Sequence, residues 1–161
     1  MSDMSNDFII DLPTLEDTLK VAGCLAPLLQ AGDTLALCGE PGAGKTTFTK
    51  LLLARWGIMD VISPTFTLHH SFSAAFTVHH LDLYRLDSPE ELYQLGWEEM
   101  MDGSSLVVVE WMDKFPSILP PDYLMLNFTY AEEGRCLGVS ASGPRGITLW
   151  EAMRICVVSG F

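Results

Sequence analysis

The sequence predicts an α/β domain whose sheet is mainly parallel at its centre and carries an antiparallel hairpin late in the chain. Three stretches carry that expectation. Thr34-Leu-Ala-Leu-Cys38 is an apolar run of strand length, followed by a glycine-rich loop and then by Phe48, Leu51, Leu52 and Trp56 at helical spacing. Leu106-Val-Val-Val109 is an unbroken apolar run, the pattern of a strand covered on both faces inside a parallel sheet. Tyr123 to Tyr130 and Cys136 to Ala141 read as two strands turned by Glu132-Glu-Gly134. With 161 residues, 48% of them hydrophobic, the chain has material for one domain spanning 1–161, and no repeat or linker divides it.

In chain order, Phe8-Ile-Ile-Asp-Leu12 reads as a short strand. Pro13-Thr14 opens a helix, with Thr14 as N-cap and Glu16 and Asp17 in the first turn, where the helix dipole favours acids. Leu15, Leu19, Ala22, Leu25 (or Ala26) and Leu29 would give that helix its apolar face, and Gly32 would cap it near Ala31. The glycine-loop strand and helix follow, the helix closing at Gly57. Thr65 to Leu68 and Phe76 to His79 favour extended backbone, with Ser71 to Ala75 turning between them, so a hairpin or two adjacent strands is expected. Ser88-Pro-Glu-Glu91 is a helix start with Ser as N-cap and Pro at N1. That helix runs to about Gly96, before a second short one from Trp97 to Met101. Pro116, Pro120 and Pro121 mark an irregular connection, and Gly146 to Ile155 reads as a closing helix. The apolar end, Ile155-Cys-Val-Val-Ser-Gly-Phe161, has no counterpart in this pattern.

The formal charge is −12, from 21 acidic residues against nine Lys and Arg. A chain so acidic repels phosphate backbones, so strong direct binding to DNA or RNA is not expected. No run of 18 or more apolar residues occurs, which excludes a membrane-spanning helix. Met1 to Asp7 is polar, with no apolar stretch after it, and does not read as a signal peptide. Cys24, Cys38, Cys136 and Cys156 are scattered without a C-x-x-C pair, and are expected to be thiols in a reducing cytoplasm.

The chemistry centres on Gly39 to Thr47, Gly-Glu-Pro-Gly-Ala-Gly-Lys-Thr-Thr, which fits G-x-x-x-x-G-K-[ST] at Gly39, Gly44, Lys45 and Thr46. Glycines let the backbone curl around a phosphate chain, and successive N–H groups form an anion nest at the positive end of the next helix. Lys45 would reach the β- and γ-phosphates, and the Thr46 hydroxyl would sit on Mg2+. Hydrolysis also needs an acid opposite the loop. Glu110, ending the valine strand, and Asp82, ending His80-Leu-Asp82, both qualify. His69-His70 and His79-His80 cannot chelate as adjacent pairs, since neighbours on a strand face opposite ways. One from each pair could meet across strands, with ordinary packing as the simpler expectation. Trp111 is either core or a lid over the nucleotide.

These residues recur as a series: Gly-x-x-Gly-Ala-Gly-Lys-Thr-Thr, Ser63-Pro-Thr-Phe-Thr-Leu68, His80-x-Asp-Leu-Tyr-Arg-Leu86 with Pro89-Glu-Glu-Leu92, and Val109-Glu-Trp111. In that order and spacing the chain resembles the TsaE (formerly YjeE) family, small P-loop ATPases of bacterial tRNA threonylcarbamoyladenosine synthesis, from about Leu12 to Arg135. The resemblance implies a three-layer α/β, P-loop NTPase-like fold binding ATP and Mg2+ in the cytoplasm. It implies phosphate contacts from Pro41, Gly42, Ala43, Gly44, Lys45, Thr46 and Thr47, with Thr46 and Glu110 holding the metal. Lys45, Asp82 and Glu110 would serve hydrolysis, and Ser63-Pro64-Thr65 would form a switch-like loop. Thr14 and Leu15 would lie near the adenine, Arg135 would approach the nucleotide, and Trp111 matches a functionally sensitive tryptophan of the family. The partner implied is a TsaB–TsaD pair, which modifies adenosine 37 of certain tRNAs and is reset by ATP turnover, so tRNA would be met only through partners. Glu40-Pro41 departs from the family's frequent Asp-Leu, and Pro41 removes one N–H from the loop.

Two other classes fit parts of the pattern. A P-loop kinase of small metabolites would gather arginines for its substrate and lid. Here Arg55, Arg85, Arg135, Arg145 and Arg154 are widely spaced. A nucleotide-sensing adaptor would bind ATP and a partner with negligible hydrolysis. A GTPase would carry an Asn/Thr-Lys-x-Asp motif, which the chain lacks.

Overall fold

The computed structural model describes residues 8–61, 64 and 68–160. Its strands are β1 (Phe8–Leu12), β2 (Thr34–Gly39), β3 (His69–Ser73), β4 (Thr77–Asp82), β5 (Ser105–Glu110), β6 (Tyr123–Tyr130) and β7 (Arg135–Ser142). They form one sheet in the order β1-β7-β6-β2-β5-β4-β3. The central strands β6, β2, β5 and β4 run parallel, while β1 and β7 on one side and β3 on the other pair antiparallel. The helices are α1 (Leu15–Leu25), α2 (Lys45–Ala54), α3 (Pro89–Gln94), α4 (Trp97–Met100) and α5 (Gly143–Gly160).

Side-chain alternation on β5 separates two cores. Leu106 and Val108 pack with Val21, Leu35, Leu37, Phe48, Leu52 and Met153, under α1, α2 and α5. Val107 and Val109 pack with Leu81, Leu92, Trp97 and Met112, under α3, α4 and the turn after β5. All four are at most 1% exposed. Removing each from water is worth roughly 1.5–3 kcal/mol, so β5 is the spine of the three layers. Among the described residues no helix is long and apolar enough to cross a membrane.

Several elements differ from expectation. Thr14 caps α1 as anticipated: its hydroxyl accepts from the Asp17 N–H at 3.4 Å, and the Asp17 carboxylate accepts from the Thr14 N–H at 3.0 Å. The helix stops at Leu25, however, and 26–28 tighten into a 3-10 turn, because Pro27 has no N–H to continue the α-helical ladder. Its buried face is Thr18, Val21, Ala22 and Leu25, a complete i, i+3, i+4, i+7 set. Leu15 and Leu19, assigned to the apolar face, are 62% and 42% exposed.

Residues 65–67 of the expected strand lie outside the described set. Leu68 has φ 69°, its N–H turns back to the Pro64 carbonyl, and pairing begins only at His69. The hairpin turn is correspondingly shorter, at 74–76. Helix α5 is longer than expected, so 155–160 of the apolar end continue it, with Val157 in the core and Ile155 and Val158 exposed.

The cysteine expectation is overturned for one pair. Cys24 and Cys156 form a disulfide, their Cα atoms 5.9 Å apart and their positions separated by 132 residues. The bond arises because α1 and α5 pack side by side on one face, which spacing could not reveal. Cys38 and Cys136 remain thiols, and burial pushes the Cys38 thiol up to about 12. The histidines do meet across strands: His69 Nε2 lies 2.9 Å from His79 Nδ1. Among the described residues no set of three His, Cys, Asp or Glu is placed to hold a metal ion.

Two outcomes follow from these contacts. In the oxidised protein unfolded in denaturant, two of the four cysteines should resist alkylation until reductant is added. Cys24→Ser should then lower unfolding free energy by about 2–5 kcal/mol, read by urea denaturation without reductant. Burial lowers the pKa of both His69 and His79 below the ordinary 6.5. The folded chain therefore binds fewer protons than the unfolded one in that range, and stability should fall as pH drops below 6.5. A His79→Gln variant should show a shallower decline in the same pH series.

Candidate active site

Strand β2 delivers the glycine loop to the carboxyl end of the parallel sheet, between β5 and β6. Gly39 has φ 136°, and a Cβ there would sit 2.3 Å from the Phe128 carbonyl oxygen, so only glycine lets the loop leave β2 so close to β6. The next residues close a turn, the Ala43 N–H donating to the Glu40 carbonyl at 3.0 Å. Pro41 followed by Gly42 at φ 79° is what a type II turn requires. The proline that departs from the family pattern thus shapes the loop.

The β6–β7 hairpin grips this turn from outside. Tyr130 donates its hydroxyl to the Pro41 carbonyl at 2.7 Å, and Arg135 Nη2 donates to the Gly42 carbonyl at 3.1 Å. The Arg135 guanidinium also lies 4.4 Å from the Tyr130 ring centre. In a trans peptide the N–H points opposite the carbonyl, so holding Pro41 O turns the Gly42 N–H away from the hairpin.

Lys45 opens α2 and is only 5% exposed. Its Nζ donates to the Gly39 and Glu40 carbonyls and lies 4.3 Å from the Trp111 ring centre. Burial lowers its pKa, opposed by the charges of Glu110 and Asp82. Those two acids are register partners on β4 and β5. Their side chains leave the same face of the sheet, beside α2, and are 3% and 2% exposed. The Thr46 hydroxyl donates to Glu110 Oε1 at 3.3 Å, His80 Nε2 lies 2.6 Å from Glu110 Oε2, and the Tyr84 N–H donates to Asp82 Oδ1 at 3.0 Å. Two neighbouring buried carboxylates are costly without positive charge. A hydroxyl and carboxylates on one wall form the all-oxygen donor set that suits Mg2+, which is commonly held by one or two carboxylates together with phosphate oxygens.

Trp111 follows Glu110 with φ 64°, while its N–H donates to the Leu37 carbonyl at 2.9 Å and keeps the ladder intact. That left-handed step carries the indole out of the strand, against Lys45 and within 4.9 Å of the Tyr84 ring. Trp111, expected either as core or as a lid over the nucleotide, lines the cleft and also packs partly buried against the core under α3 and α4.

Two cavities flank the loop. One, of about 360 Å³, is lined by Pro41, Lys45, Thr46, Asp82, Glu110 and Trp111. The other, of about 230 Å³, is lined by Thr14, Leu15, Ala43, Phe128 and Arg135. Gly42, Gly44 and Thr47 border both. Apart from the expected 63–65 loop, every site residue expected from sequence lines one of them. Ser63 and Thr65 lie outside the described set. Not anticipated were His80, Tyr84, Phe128 and Tyr130. Tyr84 and His80 were visible as neighbours of Asp82, whereas Phe128 and Tyr130 act through the β6–β2 register, which leaves no local signal.

Comparison with known proteins agrees with this geometry. The family model described as Threonylcarbamoyl adenosine biosynthesis protein TsaE matches residues 12–137. The chain is similar to the tRNA threonylcarbamoyladenosine biosynthesis protein TsaE of Rickettsia felis, 38% identical over 125 residues, 76% of this chain and 72% of that one. The protein of the same name from Treponema pallidum is 35% identical over 135 residues, 83% of this chain and 93% of that one. The crystal structure of Bacillus subtilis YdiB superposes with a TM-score of 0.76 at 27% identity, covering 96% of this chain and 97% of that one. YdiB is a TsaE homologue, and the shared architecture is P-loop NTPase-like.

Lys45→Ala removes the cation set between the loop carbonyls and the two acids. Binding of a fluorescent ATP analogue should weaken by at least about tenfold while the far-UV circular dichroism stays unchanged. Wild-type affinity in that variant would separate the loop from nucleotide binding.

Proposed function

Because the chain belongs to the TsaE family of threonylcarbamoyl adenosine biosynthesis proteins, we propose that it is a Mg2+-dependent ATPase required for the threonylcarbamoyladenosine modification at position 37 of tRNA. In this reading it acts in the cytoplasm on a TsaB–TsaD-like pair and meets tRNA only through those partners. The observation that carries the reading is the register pairing of Asp82 with Glu110, two buried acids facing Lys45 and Thr46 across one cleft.

Each residue then has a defined task. The 39–47 loop and Lys45 hold the β- and γ-phosphates, with the α2 N-terminus adding its partial positive charge. Thr46 and Glu110 are the groups that would hold Mg2+, which when bound neutralises charge developing on the phosphates. Asp82, fixed by the Tyr84 N–H, orients or deprotonates the attacking water. The cavity of Thr14, Leu15, Phe128 and Arg135 receives the nucleoside, and Trp111 shields the phosphate side from solvent.

The kinase alternative calls for arginines free to clamp a second anion. Arg145 is committed elsewhere, donating to both Asp33 carboxylate oxygens at 2.8 Å and to the Leu28 carbonyl at 2.8 Å. Arg135 holds the loop. The charge of −12 is consistent with a protein docking on partners rather than gripping tRNA itself.

Phosphate release should be slow for the isolated protein and rise when the partner pair is added, by about 10³- to 10⁵-fold if the partner supplies a missing cation. The assay varies the partner pair and tRNA separately. A fast rate indifferent to the pair, or transfer of phosphate to a small metabolite, would overturn the assignment.

A further inference from the structure

We propose that His80 is a positioning residue that fixes the Glu110 carboxylate for metal binding, an inference that rests on the ATP–magnesium reading above. His80 lies on β4 two residues before Asp82, so both side chains leave the same face of the sheet. It pairs in register with Val108, which places it diagonally behind Glu110, two residues further along β5. The imidazole is 0% exposed. Its Nε2 lies 2.6 Å from Glu110 Oε2, and among the described residues its buried Nδ1 has no hydrogen-bond partner.

These facts assign the hydrogen. A carboxylate oxygen can only accept, so Nε2 carries the proton and donates. Nδ1 is then a bare lone pair facing the core, which costs less than an N–H left without an acceptor. Glu110 is thereby divided between two duties. Oε2 is held from behind by His80, and Oε1 is turned to the Thr46 hydroxyl at 3.3 Å, on the cleft side. Without His80 the glutamate torsions are free to swing Oε1 away from Thr46.

Packing alone does not explain this side chain. An apolar residue of similar volume would fill the same space without burying an unpartnered nitrogen, at lower cost to the fold. An imidazole makes sense there as the outer partner of a metal-side carboxylate, the arrangement by which outer-shell hydrogen bonds hold a ligand oxygen in place.

The test compares His80→Gln, His80→Asn and His80→Leu with the wild-type protein. Gln can present an amide N–H where Nε2 sits, whereas Asn ends near Nδ1 and cannot reach. Binding of a fluorescent ADP analogue is titrated with Mg2+ after a metal-free measurement in EDTA, and Mn2+ binding to the ADP complex is followed by electron paramagnetic resonance. All four proteins should bind nucleotide alike in EDTA. His80→Leu and His80→Asn should need about 10- to 100-fold more metal for half-saturation, with His80→Gln restoring most of the affinity. If His80→Leu fails to fold, the Gln and Asn variants make the same comparison. Equal metal requirement in wild type, Asn and Leu variants would overturn the role of His80 and leave the ATP–magnesium reading standing. A wild-type protein whose nucleotide binding ignores Mg2+ would overturn that reading and the inference with it.

Discussion

Everything at the carboxyl edge of this sheet depends on placing two acids side by side in a region water hardly reaches. Asp82 and Glu110 are register partners, and both are almost fully buried. Like charges so placed repel, and the low local dielectric magnifies the effect. They are tolerable only where positive charge and hydrogen-bond donors converge, and the strand order supplies these. β2 lies next to β5, so the loop leaving β2 must pass the acid that ends β5. Lys45 and Thr46 arrive at the start of α2 on that same side. A sheet with another strand order would separate the acids from the loop, whatever the local motifs.

The loop itself is held from two directions. Inside, Lys45 is tied back to the Gly39 and Glu40 carbonyls and stacked under Trp111, so an arriving phosphate must draw it from those partners. Outside, Tyr130 and Arg135 take the carbonyls of Pro41 and Gly42. Because the outer carbonyls are engaged, the opposite N–H groups are presented consistently. The antiparallel hairpin is therefore more than an edge to the sheet. It is a brace for the phosphate loop and one wall of the second cavity, whose other wall is the start of α1.

Away from the site the same helix is anchored differently. Its C-terminal part packs against α2 and α5 and is bonded to α5 through Cys24 and Cys156. The matched family region ends at residue 137, so the bond reaches into a part of the chain beyond it. At the other end of β2, the Asp33–Arg145 pair ties the strand's start to α5, which fixes the far end of the strand that carries the loop.

Features that depend on a few consecutive residues were legible in the sequence itself. The glycine loop, the Thr14 and Ser88 caps, the buried valine strand, the late hairpin and both cleft acids are encoded by short spacings, because backbone geometry repeats every two or every 3.6 residues. The likeness to the TsaE family was readable for the same reason, as motifs in a fixed order. What only the tertiary structure decided involves partners far apart in sequence. Which face of α1 is buried depended on α2 and α5 arriving beside it: Ala22 and Leu25 are buried as expected, while Leu15 and Leu19 lost to Thr18 and Val21. The Cys24–Cys156 bond needed two helices laid together across 132 residues. His80 was visible beside Asp82, but its duty toward Glu110 exists only through the β4–β5 register. Tyr130 reaches Pro41 through the β6–β2 register in the same way. Register and packing are set by the whole hydrophobic core at once, so no window of local sequence contains them.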